Sequence, residues 1–314
     1  MEKQLVTIMI PTYNNRETLH RCLQSAVDQD YENLRISALD NQSDDETYDI
    51  ALDFERRYRD RVYTGRIFTH VSQWEHWGRC HTITNPRTRY IHYLQPTSTI
   101  APSFISRSIE LFESNEKLGC VLTQADTLLP TGEVITTPPY LPHDDILPGD
   151  TMMESLMASG LDMPVEHVHR RDIHSLAYSE GLIFNRFPRW LPLVMASSIS
   201  DFGYIREPLA RRGDAKSVQG NTYLPSLEEY FEHYLFLQSF CTIAARLKRE
   251  SVSKQFPAAL RRLSLDCVRC SKVLLDRGSA QDARGYLSLA QSFLPEVAET
   301  PEFRATAALF PSSF

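Results

Sequence analysis

Three features of the chain predict an open α/β sheet with helices on both faces, followed by an all-helical appendage. An apolar run, Val6 to Ile10, stops at Pro11-Thr12-Tyr13-Asn14-Asn15, and a second, Leu34 to Leu39, stops at an acidic, polar stretch from Asp40 to Thr47. The segment between them is patterned as a helix, and strand, helix, strand is the βαβ unit of such a sheet. After Arg212 the strand-like runs cease and only helical patterns follow.

Taken in order, Glu17 to Asp28 spaces Leu19, Cys22, Leu23, Ala26 and Val27 at intervals of three and four, a core-facing stripe. Asp44 to Arg59 repeats the pattern with Ile50, Ala51, Phe54 and Tyr58. Strands are expected at Val62 to Val71, Tyr90 to Leu94, Leu118 to Leu129 and Pro164 to Arg171, and a helix at Ser103 to Glu113. Thr137 to Gly149, rich in proline, reads as an irregular loop, and Thr151 to Ser159 as a short helix. Ser226 to Arg249, Pro257 to Arg277 and Ser279 to Phe293 are helical, the last two joined at Gly278. The small-residue stripe Ala280, Ala283, Ala290 is like that of a helical-hairpin repeat. The expected division is 1–215 for the sheet domain and 216–314 for the helical region, with Gly213 to Thr222 as the junction.

Composition narrows the function classes. Of 314 residues, 42% are hydrophobic and 23% charged, the balance of a globular protein. A net charge of −7 argues against nucleic acid as a partner, which needs a basic surface. No apolar stretch approaches the roughly 20 residues of a spanning helix, and Met1 to Gln4 leads straight into a strand. The expected location is therefore cytoplasmic, with peripheral contact at a membrane surface as the alternative. Of six cysteines only Cys267 and Cys270 are spaced C-x-x-C; they fall in a helical pattern without a second pair, so reduced thiols are expected.

Ligands of open α/β sheets bind beyond the carboxyl ends of the strands, where the loops at Pro11 and Asp40 emerge. An aromatic ring such as Tyr13 can cover a base, and a carboxylate such as Asp40 can accept from a base N–H. Pro11-Thr12-Tyr13-Asn14, together with Asp40-Asn41-x-Ser43-x-Asp45-x-Thr47, resembles the opening of the family 2 glycosyltransferases of GT-A fold. The resemblance implies a site for a nucleotide-diphosphate sugar, UDP being the usual nucleotide, with Thr12, Tyr13 and Asp40 around the base and Pro11, Asn14 and Ser43 in the same loops. Gln73 to Cys80 resembles the family's Asn-Trp-Asn-Arg-like stretch; Trp77 and Arg79 match, and Arg79 is implied to face the nucleotide.

Two departures stand at the chemistry. The family ends its next strand in an acidic pair or Asp-x-Asp that holds a divalent cation, whereas here Tyr90 to Leu94 runs into Gln95, Pro96, Thr97 and Ser98. Hard cations want charged oxygen ligands, so no metal or other cofactor is expected, and Gln95 and Thr97 become neutral donor-site residues. The family's Asp-Trp-x-Leu, whose Asp is the expected base, aligns with Arg189-Trp190-Leu191-Pro192; an alternative alignment uses Glu180-Gly181. Glu180, Asp201 and His169 are the candidates for the proton acceptor. His167 and His169 share a strand face with His174 close behind, a spacing that suits a metal cluster or a polar cleft.

Two function classes follow. One is an inverting transferase without metal, in which Arg79, Arg87, Arg89 or Arg212 neutralises the leaving diphosphate and the acceptor is a glycan or lipid-linked sugar. The other is a catalytically degenerate relative that binds or scaffolds an active enzyme. The C-terminal helices could serve self-association or an enzyme partner in either case.

Overall fold

A computed structural model describes residues 3–129, 131–159, 163, 165–173, 175, 191–213 and 224–310. The chain divides into two compact units, residues 1–152 with 163–221 and residues 153–162 with 222–314.

The first unit is built on one sheet. Strands β1 (Val6–Thr12), β2 (Leu34–Asp40), β3 (Val62–Arg66), β4 (Tyr90–Tyr93), β5 (Thr99–Ile100), β6 (Leu118–Leu128), β9 (Val165–Arg170) and β10 (Asp201–Gly213) lie in the order β3-β2-β1-β4-β9-β6-β10-β5. Two short strands, β7 (Val134–Ile135) and β8 (Asp145–Leu147), pair with β6 and β10. β1 pairs in parallel with both β2 and β4, β6 pairs in parallel with β10, and β9 runs antiparallel between β4 and β6. From β1 the chain steps outward to β2 and β3, then crosses back to β4. That reversal opens a crevice at the carboxyl ends of β1 and β4. Pro11 has no N–H to extend a ladder, and pairing with β4 stops at Met9↔Tyr93.

Helices cover both faces. α1 (Arg16–Val27), α2 (Thr47–Arg57) and α4 (Phe104–Ser114) bury Leu19, Leu23, Phe54, Phe104 and Ile109 against Val6, Ile8, Ile10, Ile36 and Ala38. Each such side chain contributes about 1.5–3 kcal/mol when taken from water. The other face carries a smaller core of Met9, Leu39, Trp77, Cys80, Ile91 and Tyr93 under α3 (Gln73–Thr82). Trp77 stacks on Tyr93 at 5.2 Å between centroids, nearly parallel.

Most elements fall within a few residues of expectation. The strand expected over Val62 to Val71 ends at Arg66, because residues 67–72 turn away to be held by Asn41 and Gln42. Asn41 donates to Val71 O and accepts from its N–H, and Gln42 donates to Ile67 O. Two further helices are α5 (Gly149–Ser159), whose start overlaps the segment expected to be an irregular loop, and α6 (Leu191–Ile199).

The second unit is helical: α7 (Leu227–Arg246), α8 (Glu250–Ser253), α9 (Phe256–Asp276), α10 (Ala280–Phe293), a 3₁₀ turn at Pro295–Glu299 and α11 (Pro301–Ala307). Ser226 and Glu229 form a reciprocal cap on α7. Gly278, at φ +81°, ends α9 with its N–H on Leu275 O and the Ser279 N–H on Leu274 O, the left-handed stop that favours glycine. Cys267 and Cys270 lie in the core, where burial raises both thiols, and the Tyr230 hydroxyl sits 3.2 Å from Cys270 Sγ. Among the described residues no helix is long and apolar enough to cross a membrane.

Candidate functional site

The register places Thr12 beside Asp40 and Asp40 beside Arg66, a row across three adjacent strand ends. Asp40 is buried, and its carboxylate has three partners. Oδ1 accepts from the Ser43 hydroxyl at 2.5 Å, Oδ2 accepts from the Ser43 N–H at 3.0 Å, and Arg66 Nε lies 3.2 Å from Oδ2. Ser43 Oγ in turn accepts from the Asn14 N–H at 2.9 Å. Asn14 Oδ1 accepts from the Asp44 N–H, and Thr47 Oγ1 accepts from the Asn15 N–H. The two loops after β1 and β2 are thus tied into one body. Asn14 takes φ 50° to make the bend, a left-handed conformation that asparagine tolerates.

Tyr13 is half exposed, the state of a ring that can receive a flat ligand. Its ring meets His70 at 4.7 Å between centroids, tilted by 51°. His70 is fixed by a hydrogen bond between its Nδ1 and Asn41 O at 3.1 Å. The exposed Phe68 stands on the same loop. The structure therefore brings Thr12, Tyr13, Asn14, Asp40 and Ser43 together, with Pro11 in the strand beneath. His70 and Arg66 join them unannounced by the sequence; only the bunching of aromatic and basic residues after β3 hinted at a lining.

Arg79 lies on α3, whose start is held at the end of β2 by the His76 Nε2–H donating to Leu39 O at 2.9 Å. Arg79 itself donates to Glu75 at 2.6 Å, both half exposed, an intrahelical pair of small energy. Arg87 and Arg89 precede β4, at the amino end of the strand, and Arg89 leans toward Asp172 at 4.0 Å. They stand away from the crevice and cannot neutralise a leaving group there.

Gln95 to Ser98 close the crevice from the β4 side. Gln95 O accepts from the Ser98 N–H, Ser98 Oγ accepts from the Gly213 N–H at 3.0 Å, and Gly213 packs directly on the Thr97 carbonyl. The Gln95 carbonyl and the Ser98 hydroxyl, both neutral, are engaged in holding the loop, and among the described residues no group of three His, Cys, Asp or Glu side chains is placed to hold a metal ion.

Of the candidate proton acceptors, Glu180 lies outside the described residues, as do His174, Arg189 and Trp190. Asp201 stands at the amino end of β10, where its carboxylate accepts from the Gly149 N–H at 3.1 Å. It caps α5 at the pole opposite the crevice. His169 is buried mid-strand between Ile91 and Cys120, its ring 4.6 Å from that of His167. The two histidines share a face as the alternation requires, but His169 belongs to the core rather than to a cleft. Burial, with His92 nearby, lowers its pKa to about 3.

A consequence is measurable. His169 stays neutral in the folded chain down to about pH 3 and takes a proton near 6.5 when unfolded, so its share of stability is complete above pH 6.5. That share is lost as pH falls from 6.5 toward 3, at up to about 1.4 kcal/mol per pH unit. Urea unfolding at pH 7.5, 6, 5 and 4 should show this decline, and His169→Phe should flatten it. Equal slopes for both proteins would refute the assignment.

The sequence also passed over a buried carboxylate. Glu166 is at the start of β9, beside Thr123 of β6 and two residues beyond the last paired position with β4, His92↔Val168. Arg212 Nε approaches its Oε1 at 3.6 Å, and Arg212 Nη1 donates to Met163 O at 2.7 Å.

Residues 7–121 match the family model described as glycosyl transferase family 2. No curated protein matches the chain. Among solved structures, S. aureus TarS 1–349 in complex with UDP-GlcNAc is similar at TM-score 0.58 and 12% identity, over 92% of this chain and 91% of that one. The same TarS segment in complex with UDP gives 0.55 at 11% identity over the same shares. A mannosyltransferase from Pyrobaculum calidifontis, in complex with GDP-Man and Mn2+, gives 0.52 at 13% identity, over 98% of this chain and 86% of that one. At these identities the likeness is one of fold.

Proposed function

We propose that the protein, whose residues 7–121 match the glycosyl transferase family 2 model, binds a nucleotide-diphosphate sugar and transfers the sugar, with inversion, to a glycan or lipid-linked acceptor without a divalent metal. The observation that carries the proposal is the row Thr12, Asp40, Arg66 beneath the half-exposed Tyr13. The base lies against Tyr13, with its ring N–H directed to the polar row. UDP is the proposed nucleotide, in keeping with the two TarS complexes.

Transfer needs positive charge on the departing diphosphate and a group to take the acceptor hydroxyl proton. Since the Gln95 to Ser98 loop offers no charged oxygen, the charge is assigned to Arg79 and Arg212. Each has a carboxylate partner that can yield one N–H to a phosphate. Glu166, a buried carboxylate at the crevice end of the sheet, is assigned the proton; Glu180 is the alternative from the sequence. Inversion follows if the acceptor oxygen attacks the anomeric carbon from the side opposite the diphosphate. The bond to the diphosphate breaks as the new glycosidic bond forms.

Calorimetric titration with UDP, with manganese and then with chelator, tests this. Equal affinity under both conditions, weakened about tenfold by Tyr13→Ala through loss of base stacking, is expected. Binding that appears only with manganese would defeat the metal-free route. Absence of nucleotide binding would leave the alternative, a degenerate scaffold.

A further inference from the structure

The first unit holds a second cleft that the donor reading does not use. It measures about 520 Å³ and lies between the outer side of α1 and the edge where β5 meets β10, a volume typical of small-molecule sites. Arg21 from α1 and Arg211 from β10 both line it. Neither guanidinium has a described hydrogen-bond or ion-pair partner, and Arg21 Nε is buried without one. The cleft's only carboxylate, Asp28, is exposed and accepts from Gln24 at 2.8 Å. Ser25 is likewise spent, its Oγ donating to Cys22 O and accepting from the Ile100 N–H.

We propose that this cleft binds an oxyanion, a phosphate or carboxylate group borne by the acceptor. Guanidinium groups are the side chains whose planar forks suit such groups, and two that line one cleft with no partner among the described residues constitute a receptor for them. The position fits an acceptor. Thr99 and Ile100 continue directly from the Gln95 to Ser98 loop, and Arg211 stands two residues before Gly213, which packs on Thr97. An acceptor anchored here by its charge can reach the crevice where the donor's sugar end is placed. The assignment to the acceptor rests on the transferase reading; the binding of an oxyanion does not.

The test titrates the full chain with glycerol 3-phosphate and, separately, with glucuronate, following amide chemical shifts. Saturable shifts of α1 and β10 amides by at least one probe are expected, and the stronger of the two identifies the anion. Arg21→Met and Arg211→Met should each weaken that probe about tenfold and leave UDP affinity unchanged, with Arg21→Lys in between. Arg211 is exposed, so its variant keeps the test decisive if Arg21→Met folds poorly. Failure of both probes to bind, or binding indifferent to both variants, overturns the proposal. Asp40→Asn separates the two sites: it should abolish UDP binding while the probe still binds. A chain that binds the probe but no nucleotide keeps this site and loses the donor reading.

Discussion

Asp40→Asn is expected to lower UDP affinity by about a hundredfold or more, equivalent to roughly 3 kcal/mol, and to lower thermal stability with it. The carboxylate is buried, accepts from the Ser43 hydroxyl and the Ser43 N–H, and is ion-paired with the Arg66 guanidinium. An amide offers one acceptor oxygen and one NH₂, so one of those donors is left facing another donor. Breaking a buried charge pair by neutralising one partner costs about 3–5 kcal/mol. Here Arg66 is 40% exposed and can turn to water, so the stability cost should be smaller, about 1–3 kcal/mol. The larger effect falls on binding, because Ser43 carries the link to Asn14 and so fixes the loop that presents Tyr13. Calorimetry and a melting curve on the variant check both parts. Affinity within threefold of the parent would mean that Asp40 is a structural cap and no part of a ligand site.

Gly213→Ala should do the reverse, sparing the nucleoside end and damaging the sugar end. A Cβ at this position would stand 2.3 Å from the Thr97 carbonyl oxygen and 2.6 Å from its carbon. Those are backbone atoms, which cannot rotate aside, so the Gln95 to Ser98 loop must move. The cost in stability is about 1–3 kcal/mol, that of an overpacked contact. The cost in turnover is larger: a displacement of about 1 Å near reacting atoms can lose a factor of about a hundred. UDP affinity should change little, because Tyr13 and Asp40 stand on other strands. Gly78→Ala, whose Cβ meets nothing within 4 Å in mid-helix, serves as the control and should be neutral or slightly stabilising. Donor consumption and UDP titration on the three proteins separate these outcomes. Full turnover by Gly213→Ala would remove the loop from the site.

The βαβ opening was legible because each of its signals is local. The stripe Leu19, Cys22, Leu23, Ala26, Val27 is buried as its spacing demands, and both polar loops close strands that end within a residue or two of where the apolar runs stop. The shared body of Asn14, Ser43 and Thr47 was legible only as two motifs, since the hydrogen bonds joining them span about thirty residues. His70 and Arg66 could not be found by pattern. Their roles depend on β3 lying next to β2 and on residues 67–72 folding back to Asn41, facts of register and loop path rather than of sequence period.

The same limit explains the misplaced cations and acids. Arg87, Arg89 and Asp201 sit near strand boundaries, and a sequence does not say which pole of a sheet a boundary occupies until the strand directions are known. His169 was read from the face it shares with His167, yet it lies on an inner strand between β4 and β6 and is buried there. Conversely, Glu166 and Arg212, 46 residues apart in the chain (212 − 166), meet only because β9 and β10 flank β6.

The most direct test of the donor site is a crystal of the protein soaked with UDP in the presence of chelator. Density for uracil against the Tyr13 ring, with its N3–H turned toward the Thr12 and Asp40 end of the sheet and the diphosphate running toward Thr97, is the predicted result. A nucleotide seated elsewhere, or a crevice still empty at saturating UDP, would contradict it.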